Sequence, residues 1–164
     1  MLICGVLLVS TIYDLRFREV PTWLTLSALI ASGTYAIFRG LWMPVLLVIA
    51  LCLISELTIP AQRRSFAIVI SAYAAIFEPS TALICLALFA VWTLWDFELM
   101  GGADAKLIAV VLLGFGNPII LIPVTLIGGI QGVMAIIRKQ KSVPYVLSIF
   151  LGTLAFTLFP LIHT

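Results

Sequence analysis

The charges of this chain come in short clusters, and between the clusters lie long runs that hold none. No charged residue precedes Asp14, none stands between Glu78 and Asp96, and none between Lys106 and Arg138. That spacing limits the possible folds more than any motif does. Hydrophobic residues make up 63% of the 164 residues and charged residues 10%, against roughly half and roughly a quarter in soluble domains. There is too little polar surface to build a water-facing shell around a core. What remains is an all-α fold, a polytopic transmembrane helix bundle in which each segment bonds its own backbone and the lipid bilayer is the surrounding partner.

Polar punctuation divides the chain into segments at approximately 1–15, 20–38, 42–59, 65–78, 80–97, 104–115, 118–137 and 143–163. The fourth and sixth are short for a bilayer span. About 8 spans are expected, with 6 or 7 as the alternative, in a single transmembrane domain over residues 1–164. Pro44, Pro60, Pro79, Pro118 and Pro144 fall near segment ends, where helices start and stop. The first segment has neither a basic leader nor a small-x-small cleavage site, so it reads as a retained helix and not as a secretory signal.

The basic residues concentrate at alternate boundaries along the chain. Arg16 and Arg18, Arg63 and Arg64, Lys106, and Arg138, Lys139 and Lys141 fall at one set of boundaries. Arg39-Gly40, Glu78-Pro79 and Gly116-Asn117-Pro118 form the other set. Eight of the nine basic residues therefore share a side. The excess of basic residues makes that side cytoplasmic and places both termini outside.

Much chemistry is excluded. Cys4, Cys52 and Cys85 are far apart inside apolar segments and read as packing residues. Nothing resembles a nucleotide-binding loop, a zinc cluster or a Ser-His-Asp set, and the single histidine is His163. No metal, cofactor or nucleic-acid partner is expected. The acidic residues are more informative, because a carboxylate near a bilayer is costly. Glu19 and Glu78 read as solvated loop charges, and Glu56 as a partner for Arg63 or Arg64. Asp14 and Asp104 are different. One ends the first segment and the other begins the sixth, 90 residues later (104 − 14), at the same predicted depth. Two carboxylates meeting on one plane are the minimal apparatus of aspartyl proteolysis. Sharing a proton pushes them apart in acidity, so that one serves as base toward water and the other as acid toward a carbonyl. Gly101, Gly102 and Ala103 just before Asp104 leave room for an extended peptide, or alternatively for close helix packing.

These residues carry a family resemblance. Gly101-Gly102-Ala103-Asp104-Ala105-Lys106 resembles the GxGD-type motif of type IV prepilin peptidases and archaeal preflagellin peptidases. Asp14 with Arg16 and Val20-Pro21 is similar to the first catalytic motif of that family. Val143-Pro144-Tyr145 with Gly152 is similar to the opening of the last helix in its short members. Ala103 stands where the motif has its second glycine, Thr22 where an Asn often follows the proline, and the Asp–Asp separation exceeds the family's by about one helical hairpin. The resemblance implies an inner-membrane aspartyl endopeptidase with its active site facing the cytoplasm. Such an enzyme cuts the short basic leader from prepilin-like precursors (pilin, pseudopilin or archaellin). It implies Asp14 and Asp104 as the catalytic pair, and a groove shaped by Gly101, Gly102 and Ala103. Asp96 and Glu98, with Glu19, would offer an acidic surface to the leader. The helix dipole assigns Asp104 as the base, while Arg16 and Arg18 favour an ionised Asp14 instead. Arg16, Arg18 and Lys106 are either headgroup anchors or charges that tune the pair. The alternatives are a small non-catalytic transporter or assembly subunit, and a presenilin-like intramembrane protease.

Overall fold

A computed structural model describes residues 2–17, 19–137 and 145–158. Arg18, Arg138, Lys139, Lys141, Val143, Pro144 and His163, named above, lie outside the described residues. The fold is all-α, with eight helices and no strand among the described residues. The helices are α1 (Leu2–Phe17), α2 (Thr22–Phe38), α3 (Trp42–Ser55), α4 (Pro60–Phe77), α5 (Ala82–Asp96), α6 (Gly102–Phe115), α7 (Leu121–Ile137) and α8 (Tyr145–Leu158). Single 3-10 turns at Pro79–Thr81 and Pro118–Ile120 lead into α5 and α7.

Among the described residues the helix count matches the number of apolar segments, and the helices differ in length. Pro79–Asp96, the 3-10 turn and α5 together, has 18 residues at mean hydropathy 1.4. Among the described residues it is the one helix long and apolar enough to cross a bilayer. Thr22–Phe38, Trp42–Ser55, Pro118–Met134 and Tyr145–Leu158 are apolar but shorter.

The centre of the molecule is α6. Every residue from Leu107 to Gly114 is buried, so this helix is enclosed on all sides, as an evenly apolar helix must be. It packs most extensively on α2 and also touches α1, α3, α5 and α8. The other strong pairings are α7 with α8, α1 with α8, and α4 with α5. Small residues permit the closest approaches. A methyl group on Gly152 of α8 would lie 2.5 Å from the Val124 Cα of α7.

The helix ends follow backbone chemistry. After α2, Gly40 takes a left-handed φ of 80°, and the Leu41 N–H donates back to the Ala36 carbonyl at 2.9 Å. That is the glycine-terminated Schellman arrangement. The Arg39 guanidinium then donates to the carbonyls of Gly114 and Phe115 at 3.3 and 3.0 Å. It satisfies the open C-terminus of α6 and matches its dipole. Glu78, expected to be solvated, is half-buried in the turn before α5, where the Thr81 N–H donates to its carbonyl at 3.0 Å.

Hydroxyl groups turn back onto their own helices. Thr11 donates to Leu7, Thr93 to Phe89 and Thr153 to Ile149, each through the carbonyl one turn earlier. The exposed Thr34 and Thr125 do the same. The outer surface is dominated by large apolar side chains. Phe38 is 85% exposed, Ile76 78% and Leu83 69%.

Candidate active site

The antiparallel run of helices brings the end of α1, the ends of α3 and α5 and the starts of α4, α6 and α8 to one end of the bundle. Asp14 is three residues from the end of α1 and Asp104 is in the first turn of α6. Both are half-buried. They are near enough that the charge of Asp14 acts on Asp104. Two like charges this close oppose being ionised together.

Asp104 is held by the start of its own helix. Gly101 is the N-cap residue, with an extended backbone. The Asp104 carboxylate turns back toward the Gly101 backbone, the placement of the backward half of a capping box. The carboxylate folds down so closely that a methyl group on Gly101 would lie 2.9 Å from Asp104 Oδ2. On Gly102 a methyl group would instead meet the indole Nε1 of Trp95, at 3.2 Å. The two glycines therefore hold different neighbours, the acid on one side and a tryptophan of α5 on the other. Ala103 is half-buried beside them.

Tyr145 opens α8 and is a neighbour that the residue chemistry alone did not single out. Its ring lies against α7, where a methyl group on Gly128 would come within 2.8 Å of it. Its hydroxyl is within electrostatic reach of Asp104. The signals available in the sequence were its place at the start of the last apolar segment and the resemblance of Val143-Pro144-Tyr145 to the opening of a last helix. One turn further along α8, the Ser148 hydroxyl donates to the Gln131 side-chain carbonyl of α7. Arg16 lies with its guanidinium 5.4 Å from the centre of the Phe17 ring.

Asp96 is not on an acidic surface. Its side chain is fully buried at the end of α5, paired with Arg63 and, at 2.7 Å, with Arg64 of α4. Arg64 also lies 4.2 Å over the Phe97 ring. Asp96 thus ties α4 to α5 and takes both cations that Glu56 was expected to bind. Burying a carboxylate is tolerable only with such partners, and removing one of them leaves a buried charge uncompensated. Glu98, by contrast, is exposed. It sits in left-handed conformation at φ 58°, in the position after the α5 cap where glycine is usual. The Leu99 N–H donates to the Leu94 carbonyl and the Glu98 N–H to the Trp95 carbonyl, each at 2.9 Å. This is the same closing motif as at Gly40, built with a side chain that disfavours it. Of the expected site residues, the fold gathers Asp14, Asp104, Gly101, Gly102 and Ala103 together. It leaves Glu98 on the adjoining loop and locks Asp96 into the α4–α5 hairpin.

Chemically, two interacting carboxylates at the rim of an apolar bundle can divide the roles of acid and base toward one water. No family model matches this chain, and neither a curated protein nor a solved structure matches it.

Proposed function

We propose that this chain is a multi-pass membrane aspartyl endopeptidase of the type IV prepilin peptidase kind. It would cut the short basic leader from prepilin-like precursors at the cytoplasmic face of the cell membrane. The observation that carries the proposal is the approach of Asp14 and Asp104, remote in sequence, to within each other's electrostatic reach at one end of the bundle. A capping role explains Asp104 alone, but it gives no reason for a second carboxylate beside it.

The membrane part of the proposal draws on three features. The exterior is apolar on most helices, far beyond the isolated patches that soluble proteins expose. Even exposed threonines donate to their own helix carbonyls and not outward, as hydroxyls do where there is no water. The short helices do not conflict with a bilayer. A 14-residue helix is about 21 Å long, less than the roughly 30 Å of hydrocarbon, yet α6 is wrapped in protein and its ends need not reach lipid.

In the proposed reaction the ionised carboxylate takes a proton from a water. The water oxygen adds to the scissile carbonyl carbon, and the protonated carboxyl gives its proton to the carbonyl oxygen. The tetrahedral adduct then collapses as the C–N bond breaks and the amine nitrogen takes up a proton. Rate against pH should be bell-shaped, with both limbs belonging to the pair and not to either residue.

The test is cleavage of candidate prepilins by the purified protein in detergent, beside Asp14→Asn and Asp104→Asn. Both variants should keep the helical signal and elution volume of the parent and lose cleavage, by at least about 1,000-fold if the pair acts as a unit. Parent-like activity in either variant defeats the proposal.

A further inference from the structure

On the side of α6 turned away from Asp104 lies a cavity of about 370 Å³ between α2, α3, α5 and α6. Gly102, Ala105, Lys106 and Ala109 form its α6 wall. Asp104 does not reach it, because about 100° of rotation per residue carries that side chain to the opposite face. The body of the cavity is apolar, with Leu29, Val48, Leu51 and Val91 around Trp92. Two charged side chains line it, Glu56 of the α3 end and Lys106. The helices that flank it diverge. Near their connecting turn α2 and α3 are close enough that a methyl group on Gly33 would lie 3.8 Å from Val45. Toward their other ends Leu26, Cys52 and Glu56 are exposed and line the cavity. The cavity therefore opens sideways between α2 and α3, onto the apolar exterior.

The two charges are spared by the rest of the fold. Arg63 and Arg64 are both taken by Asp96, and among the described residues neither Glu56 nor Lys106 forms an ion pair. The electrostatic reach of Lys106 extends to Cys52, across the cavity on α3. The cleft thus offers an apolar body with one cation and one anion on its rim.

We infer that this cleft seats one acyl chain of a phospholipid whose headgroup carries a phosphate and a primary ammonium, with Lys106 meeting the phosphate and Glu56 the ammonium. The inference rests on the bilayer reading above but not on the peptidase reading. Size and charge select this occupant. A volume of 370 Å³ is at the small end of ligand pockets, which span roughly 300–1,000 Å³. It admits part of one chain, whereas a helix about 10 Å across does not fit. An anionic glycerol headgroup would pair its phosphate with Lys106 but bring no cation to Glu56. A choline headgroup carries no N–H and gives Glu56 no hydrogen bond. An ethanolamine headgroup answers both side chains, through charge-assisted contacts.

Brominated acyl chains test this, since bromine quenches a tryptophan that it touches. The protein is reconstituted into phosphatidylcholine bilayers that contain a minor share of brominated lipid with an ethanolamine, choline or glycerol headgroup. Two single-tryptophan forms are compared. One keeps Trp92, inside the cleft, and the other keeps Trp23, 65% exposed on the outer side of α2. Trp92 should be quenched by the ethanolamine lipid about threefold more readily than by the others, the preference that one exposed ion pair supports. Lys106→Gln and Glu56→Gln should each remove that preference. Trp23 should be quenched without regard to headgroup. Equal quenching of Trp92 by all three lipids, or a preference that survives both substitutions, overturns the inference. Trp92 quenched by none while Trp23 is quenched overturns it as well. If Trp23 is not quenched either, the bilayer reading itself fails. Should a single-tryptophan form not fold, the difference between the parent and Trp92→Phe gives the same reading.

Discussion

At the scale of single residues, glycine and glutamate around the α5–α6 loop set the geometry of the carboxylate pair. Gly101 has φ −65° and ψ 145°, values that any residue adopts, so its smallness and not its flexibility is what matters. Gly101→Ala would push a methyl group to 2.9 Å from Asp104 Oδ2. The helix tolerates this because the carboxylate can rotate away, but the rotation spoils the pair. Cleavage should fall about 10- to 100-fold, as misplacement on the ångström scale does, while the thermal midpoint in detergent hardly moves. Gly102→Ala meets only the tip of an indole and should do less. Glu98 presents the reverse case. A non-glycine residue in left-handed conformation costs about 1–2 kcal/mol, and strain of this sort is often retained next to functional sites. Glu98→Gly should therefore stabilise the protein by about 1 kcal/mol in denaturant unfolding. If its charge meets a basic leader, the same variant should raise KM for such precursors.

At the scale of elements, contacts between helices decide where each begins, ends and packs. Sequence spacing started the fourth segment at residue 65, after the arginine pair. The helix starts at Pro60, with proline in its first turn, and takes Arg63 and Arg64 inside. Cations in a first turn oppose the helix dipole. Here the buried Asp96 carboxylate at the end of α5 offsets that cost, a partner that no local pattern could have revealed. The basic residue on the opposite side, Arg39, is likewise engaged by an element far along the chain, the C-terminus of α6. Helix packing makes a sharp prediction at Gly152. Gly152→Ala would meet the Val124 Cα and N at 2.5 and 2.7 Å. Backbone atoms cannot rotate aside, so α7 and α8 must separate. The expected loss is about 3 kcal/mol, at the upper end for overpacking, read as a lowered unfolding midpoint. At Gly114 the obstructing atoms belong to the Ile3 side chain, which can turn away, so Gly114→Ala should cost less.

At the scale of the whole molecule, the alternation of helix direction places Glu19 and Glu98 at one end and Ser80 at the other. All three are exposed, and the reading given above makes the first end cytoplasmic. In a variant without Cys4, Cys52 and Cys85, a cysteine at Glu19 or Glu98 should react with an impermeant thiol reagent only from the cytoplasmic face of oriented vesicles. A cysteine at Ser80 should react only from the outer face. Labelling of Glu19→Cys and Glu98→Cys from opposite faces would separate Asp14 from Asp104 and remove the basis of the peptidase proposal.

The sequence by itself determined that the chain is helical and roughly where its apolar segments stop. Long uncharged runs must satisfy their own backbone, and Gly40, Gly116 and the prolines end or start helices by local conformational preference. It also marked Asp14 and Asp104, because their motifs are local in the chain. Tertiary structure alone decided that α6 is the enclosed centre, that Asp96 is committed to two arginines, and that Glu56 and Lys106 are left facing a cleft. Each of these depends on which helix faces which. When nearly every side of every helix is apolar, no stripe in the sequence says which face turns inward, and only packing of the whole bundle selects it.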